Sequence, residues 1–89
     1  MLQMNSSHEP LVSVIIPTYN RPDYLKQAIE SAVKQTYRNL EIIVSDNCSK
    51  KSPESLVEEF GDSRIRFFRQ PTNVGMFANQ MNAFKMAQG

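Results

Sequence analysis

The sequence predicts an α/β fold, a Rossmann-like half-sheet in which parallel strands and helices follow one another as β-α-β-α-β-α. Residues 12–16 (VSVII) and 40–45 (LEIIVS) show almost no alternation of apolar and polar positions, which is typical of strands covered on both faces of a parallel sheet. Between and after these stretches, apolar residues recur at spacings of three and four, as in helices that pack one face on a sheet. Crossovers between parallel neighbours are nearly always right-handed.

The loop after the first strand is the first candidate site. Proline has no backbone N–H, so we predict that the strand ends at Pro17 and that the chain turns off the carboxyl edge of the sheet there. Ligands of open α/β sheets bind at this edge. Tyr19 could stack on a base or simply close the end of the sheet, and Arg21 could meet a phosphate or be solvated.

The first helix should run from Pro22 to about Thr36, because proline suits the first helical position and Asp23 favours the helix dipole. The second strand then leads into Asp46, beside the first loop. A carboxylate at this place can accept hydrogen bonds from a base or a ribose. It can equally cap a turn, since the residues of Asp-Asn-Cys-Ser all favour turns.

The second half of the chain predicts two shorter helices and a strand nearer the edge of the sheet. A helix begins at Ser52-Pro53-Glu54 and stops at Gly61, and residues 64–69 form the third strand. Asn73-x-Gly75 predicts a turn that needs glycine. A third helix should span residues 76–88 with Phe77, Met81 and Phe84 on its buried side. Asn79 and Asn82 share one helical face, where they serve a common polar task or face solvent.

Length and composition bound the remaining possibilities. The chain has 89 residues, enough for one small domain, and carries 10 Lys and Arg against 9 Asp and Glu, so its charge gives no reason to expect a nucleic-acid partner. We expect residues 1–10 to form a flexible tail and residues 11–89 the domain.

The sequence also indicates where the protein is located. No apolar run is long enough to span a bilayer, and the N-terminus does not have the pattern of a signal peptide. The expected location is therefore the cytoplasm, or the periphery of the inner face of the membrane. A single cysteine, Cys48, fits a reducing compartment.

Taken together, and in this order, the motifs resemble the amino-terminal, nucleotide-sugar-binding half of the inverting glycosyltransferases of family 2, which have the GT-A fold. The resembling segments are residues 12–21 (VSVIIPTYNR), 35–37 (QTY), 39–49 (NLEIIVSDNCS), 73–75 (NVG) and 87–89 (AQG). The resemblance covers nearly the whole chain. Each piece alone is a weak signal, and the combination is specific.

The resemblance implies a nucleotide-sugar donor, typically a UDP-sugar, and a saccharide or lipid-linked acceptor. Thr18 and Tyr19 would line the base pocket, Tyr19 by stacking. Asp46 would accept a hydrogen bond from the base N3–H, and Arg21 would lie toward the phosphates. Residues 73–82 would approach the donor from the third loop and helix. The nucleotide-binding residues expected on this basis are Pro17, Thr18, Tyr19, Arg21, Asp46, Asn73, Gly75 and Asn79.

Members of this family bind Mg²⁺ or Mn²⁺ through a later Asp-x-Asp or Asp-Asp cluster and use a carboxylate base farther along the chain. Neither falls within these 89 residues. We therefore expect a truncated subdomain that has no metal ligands and no catalytic residues of its own, and that is inactive alone. Many members also carry an arginine in the third helix, which residues 77–82 of this chain lack.

Two other interpretations stay open. The chain could be a non-catalytic nucleotide-binding α/β module, or a receiver-like or flavodoxin-like domain, although the Pro-Thr-Tyr-Asn-Arg loop is unlike the acidic or phosphate loops of those folds. We also expect the first strand to lie at an exposed edge of the sheet. Such an edge is a template for pairing with another chain, so we expect a homo-oligomer.

Overall fold

A computed structural model describes residues 10–89, so the predicted tail, apart from Pro10, lies outside the described residues. The strands form one parallel sheet in the order β1-β2-β3. The α/β half-sheet is therefore confirmed, and so is the position of the third strand at an edge. The elements are β1 (Val12–Thr18), α1 (Pro22–Val33), β2 (Leu40–Asp46), α2 (Glu54–Glu58), β3 (Ile65–Arg69) and α3 (Met76–Met86).

β1 continues through Pro17, so the prediction that proline ends this strand is wrong. The hydrogen-bond register gives the reason. Val12 donates its N–H to the carbonyl of Asn39 (3.0 Å), and the carbonyl of Thr18 accepts from the N–H of Asn47 (2.9 Å). Even-numbered residues of β1 therefore direct their backbone groups toward β2. The nitrogen of Pro17 faces the other edge of the strand, where its missing N–H breaks no bond to β2.

One face of the sheet carries the apolar core, against α1 and α2. β2 runs through the middle of the sheet and is buried at all of its positions, as its sequence predicts. β1 is an edge strand and is only partly covered. Each fully buried aliphatic side chain contributes about 1.5–3 kcal/mol. The buried cluster consists of Ile16, Leu25, Ile29, Ala32, Ile42, Val44 and Val57.

The helix limits differ slightly from those predicted. α1 ends at Val33 rather than near Thr36, because the chain tightens there: the N–H of Gln35 bonds the carbonyl of Ala32 at 3.2 Å. α2 begins at Glu54, one residue after the proline. Gly61 adopts a φ of 59° after α2, which is the left-handed stop that the glycine predicts.

The prediction of which α3 residues are buried is wrong. Phe77 is 77% exposed, Phe84 is 65% exposed and Met81 is 39% exposed, whereas Asn79 and Ala83 are the buried residues. Asn79 and Ala83 lie one turn apart on the face that meets β1 and β2. α3 therefore contacts the sheet through a small alanine and a hydrogen-bonded asparagine. The larger apolar residues lie on the opposite side of the helix.

A carboxylate is buried where α3 leaves the sheet. Glu41 of β2 is 5% exposed and accepts hydrogen bonds from the Ser13 hydroxyl (2.6 Å), the Gln88 backbone N–H (2.6 Å) and the Arg66 guanidinium. The N–H of Gly89 donates in turn to the Ser13 oxygen at 2.9 Å. These bonds, led by the Ser13 hydroxyl, lower the pKa of Glu41 from 4.5 to about 2. One side chain thus joins all three strands to the segment after α3.

Replacing Glu41 with glutamine should lower the free energy of unfolding by about 1–3 kcal/mol at pH 7, because the buried charge is lost and an NH₂ donor replaces one of the two oxygens that accept these hydrogen bonds. Since the folded pKa lies below the unfolded value, this stabilisation is present above pH 4.5 and is lost as the pH falls toward 2. Urea unfolding of both proteins from pH 7 to pH 2 measures the difference. Glu58→Gln, on the exposed surface of α2, is the matched control. A wild-type advantage that stays constant across this range contradicts the assignment.

Candidate functional site

Three loops meet at the carboxyl edge of the sheet because the parallel strands all end there. They are residues 19–21 after β1, 47–53 after β2 and 70–75 after β3. The strands are neighbours in chain order, so each loop lies beside the next. This is the edge at which open α/β sheets bind ligands.

Asp46, at the end of β2, has no exposed surface. Its carboxylate accepts hydrogen bonds from the N–H of Ser49 (2.9 Å) and from the Ser49 hydroxyl, and Nε of Arg69 lies 3.3 Å from Oδ2. Arg69 also donates to the carbonyl of Ser49. This is the turn-capping arrangement that the sequence left open as an alternative, with an ion pair to β3 in addition. In this conformation the carboxylate presents no surface to a ligand.

Asn20 ties the first loop to the second. Its N–H donates to the Ser49 hydroxyl oxygen (2.8 Å), and its side-chain oxygen accepts from the N–H of Lys50 (2.8 Å). Its φ of 52° lies in the left-handed region, which asparagine tolerates better than most residues. Asn20 belongs to the PTYNR motif but is not among the nucleotide-binding residues expected from the sequence. An asparagine between a strand and a proline-started helix was the available signal, because such loops often need a positive φ.

A pair of asparagines ties the second loop to the third. Asn47 is 3% exposed; its side-chain nitrogen donates to the side-chain oxygen of Asn73 (3.0 Å) and its oxygen accepts from the N–H of Val74 (2.9 Å). The Asn73 oxygen also accepts from the N–H of Gly75 at 2.8 Å. Gly75 has a φ of 89°, so the predicted glycine turn is confirmed. We call the side-chain bonds among Asn20, Asp46, Asn47, Ser49, Arg69 and Asn73 the loop network.

Asn79 lies beneath this edge and faces the sheet. It is 2% exposed; its oxygen accepts from the Ser45 hydroxyl (2.7 Å) and the Gln70 amide (3.2 Å), and its nitrogen donates to the Ser45 carbonyl (2.9 Å). Asn82 donates to the side-chain oxygen of Gln70 at 3.3 Å. Both asparagines of α3 therefore serve one polar cluster, which attaches the helix to the end of β2 and to the third loop.

The remaining candidates differ in exposure. Tyr19 is 40% exposed and Thr18 is 7% exposed. The Arg21 guanidinium lies 5.3 Å from the centre of the Tyr24 ring, which is cation–π distance. Pro17 is half-buried in β1. The structure thus brings Thr18, Tyr19, Arg21, Asp46, Asn73 and Gly75 to one edge, while Asn79 lies behind it.

The described residues offer no evident metal centre. Across residues 10–89 there is no group of three or more His, Cys, Asp or Glu side chains that could hold a metal ion. No helix among the same residues is long and apolar enough to cross a membrane.

Comparison with known proteins assigns the chain to a family. Residues 13–89 match the family model described as glycosyl transferase family 2. An uncharacterized glycosyltransferase of Rickettsia typhi is 40% identical over 74 residues, which are 83% of this chain and 23% of that protein. One of Methanocaldococcus jannaschii is 41% identical over 85 residues, 91% of this chain and 29% of that protein. A putative colanic acid biosynthesis glycosyl transferase of Escherichia coli is 34% identical over 84 residues, 92% of this chain and 30% of that protein.

The fold agrees with this match. The crystal structure of S. aureus TarS 1–349 superposes with a TM-score of 0.79 at 29% identity, covering 91% of this chain and 25% of that one. The chain thus spans less than a third of the length of these relatives. Because the family model matches nearly all of the described residues, and the half-sheet matches the corresponding part of a GT-A-fold structure, the chain belongs to glycosyl transferase family 2.

Proposed function

We propose that the chain binds the nucleotide of a UDP-sugar donor at the carboxyl edge of its sheet, as part of a glycosyltransferase that passes the sugar to a saccharide or lipid-linked acceptor. The observation that carries this proposal is the loop network. It fixes the spacing of three loops by side-chain hydrogen bonds and leaves Tyr19 exposed among them. A preformed site spends less free energy on ordering loops when the ligand binds.

Tyr19 supplies the stacking surface for the base in this proposal. An exposed aromatic ring beside a rigid loop suits a flat base, and its neighbour Asn20 is held at both its N–H and its side chain. Arg21 lies two residues farther on and forms no ion pair within residues 10–89, so its charge is available to a phosphate. Thr18, Asn73 and Gly75 complete the walls from the first and third loops.

Asp46 acts on the donor through the loops rather than by direct contact in this proposal. Both of its oxygens already accept hydrogen bonds from Ser49. A direct bond to the base N3–H, which the family resemblance implies, requires the loops to expose the buried carboxylate first. Asn79 likewise acts indirectly, because its amide is occupied by Ser45 and Gln70. Pro17 contributes through its ring, which fixes φ one residue before β1 ends and the first loop begins.

We propose the sugar-transfer step only for a protein as long as the relatives, of whose length these 89 residues span less than a third. A metal ion, Mg²⁺ or Mn²⁺, would stabilise the leaving diphosphate, and a carboxylate would deprotonate the acceptor hydroxyl. Among residues 10–89 no group of three or more His, Cys, Asp or Glu side chains could hold such an ion. We therefore expect the 89-residue chain to bind UDP yet to release no nucleotide from UDP-sugars in the presence of Mn²⁺, as a direct assay of UDP formation would measure.

Replacing Tyr19 with alanine should weaken UDP binding by about 1–3 kcal/mol, the usual contribution of one base stacked on an aromatic side chain. Titration calorimetry of UDP with the wild-type and mutant chains measures this loss. Phe84→Ala, which removes an exposed aromatic ring from α3, is the matched control and should leave the affinity unchanged. Equal UDP affinities for wild type and Tyr19→Ala would place the base elsewhere.

A second copy of the chain is the partner that we propose for the open edge of β1. Odd-numbered residues such as Ser13 and Ile15 direct their backbone groups away from β2, and no other strand of the described residues pairs with them. Unpaired edges of this kind promote association. Light scattering coupled to size-exclusion chromatography, over a dilution series, should detect a dimer that dissociates on dilution. A monomer mass at every concentration would refute the pairing.

A further inference from the structure

A groove runs between α1 and α2, on the face of the sheet opposite α3. Its volume is about 620 Å³, within the range of pockets that hold small organic ligands. The floor is apolar and is formed by Leu25, Leu56 and Phe60. Pro22 and Pro53 lie at the end nearest the carboxyl edge of the sheet, which we call the upper end. Among the residues proposed for the donor, only Thr18 and Arg21 reach this groove.

Charge is divided along the groove. Both helices begin at the carboxyl edge of the sheet and run away from it, so residues early in each helix or just before it lie at the upper end. The carboxylates, Glu30 and Glu59, lie toward the lower end, since Glu30 is late in α1 and Glu59 follows the last residue of α2. The upper end is cationic and is lined by Arg21, Lys26, Lys50 and Lys51.

These four cations have no acidic partner. Within residues 10–89, none of them forms an ion pair. Three arginines elsewhere behave differently: Arg64, Arg66 and Arg69 each pair with a carboxylate at 3.3 Å or less. Clustered unpaired cations raise the local concentration of anions, and the hydroxyls of Ser52 and Ser55 add hydrogen-bond donors beside them.

We propose that the groove binds a phosphate monoester carried on an apolar body. The phosphate meets Lys50 and Lys51 at the upper end, and the apolar body covers the floor formed by Leu25, Leu56 and Phe60. The carboxylates at the lower end repel a second anionic group, so the body is neutral there. This site goes beyond the donor site: Asn20 and Ser49 of the loop network reach the groove, but the donor residues Tyr19, Asp46, Asn73, Gly75 and Asn79 do not line it.

Hexyl phosphate is the probe for this site, with inorganic phosphate and hexanol as its two halves. Titration calorimetry on the 89-residue chain should show hexyl phosphate binding at least tenfold more tightly than either half. The double variant Lys50→Gln/Lys51→Gln should lose at least tenfold in affinity. Lys85→Gln, on α3 across the sheet, is the control and should bind as the wild type does. Affinity that is equal for the double variant and the wild type overturns the proposal.

Vesicles separate the two sources of such a ligand. Co-sedimentation with phosphatidic acid vesicles, whose headgroup is a phosphate monoester, but not with phosphatidylcholine vesicles, and its loss in the double variant would identify the ligand as a lipid headgroup. Hexyl phosphate binding without vesicle binding would identify a soluble phosphate ester. Each result supports the groove as a site for this chemistry.

Competition with UDP separates this inference from the proposed function. Saturating UDP and the Tyr19→Ala substitution should both leave the affinity for hexyl phosphate unchanged. Displacement of hexyl phosphate by UDP would make the groove part of the donor site and overturn the inference, while the proposed function would stand. An absence of UDP binding with intact hexyl phosphate binding would contradict the proposed function alone.

Discussion

The buried carboxylate of Asp46, bonded to Ser49 and paired with Arg69, is the interaction on which the carboxyl edge of this protein depends. Removing a carboxylate from water is costly, and the cost is offset only where charge-assisted hydrogen bonds satisfy its oxygens. Here Ser49 satisfies both oxygens and then receives the N–H of Asn20. The second loop is thereby fixed by one side chain, and the first loop is fixed to the second.

The two faces of the sheet serve different purposes. The face against α1 and α2 holds the apolar cluster that stabilises the fold. The face under α3 holds polar side chains at two heights, with Glu41 near the start of the strands and Ser45 with Asn79 near their ends. α3 is thus attached by hydrogen bonds at both ends, and through Gln70 it is also joined to the third loop.

The sequence predicted the order and type of the elements because β2 has an unbroken apolar centre, residues 42–44, and α1 has a regular apolar stripe. It failed where the outcome depends on neighbours in space. Pro17 stays in β1 because its nitrogen faces away from β2, which only the pairing register determines. Phe77 and Phe84 give α3 an apolar stripe that predicts burial, yet Asn79 is the residue that contacts the sheet. Asn20 carries little signal in the sequence, since its importance lies in bonds to residues about thirty positions away.

Hydrogen exchange at the loop amides tests most directly whether Asp46 fixes the second loop and, through Ser49, holds the first loop to it. Asp46→Asn keeps the size of the side chain and removes its charge. The account predicts that the amides of Asn20, Ser49 and Lys50 exchange slowly in the wild type and at least tenfold faster in this variant, while those of Ile43 and Val44 in β2 are unchanged. Fast exchange of the loop amides in the wild type, or equal rates in the two proteins, would contradict it.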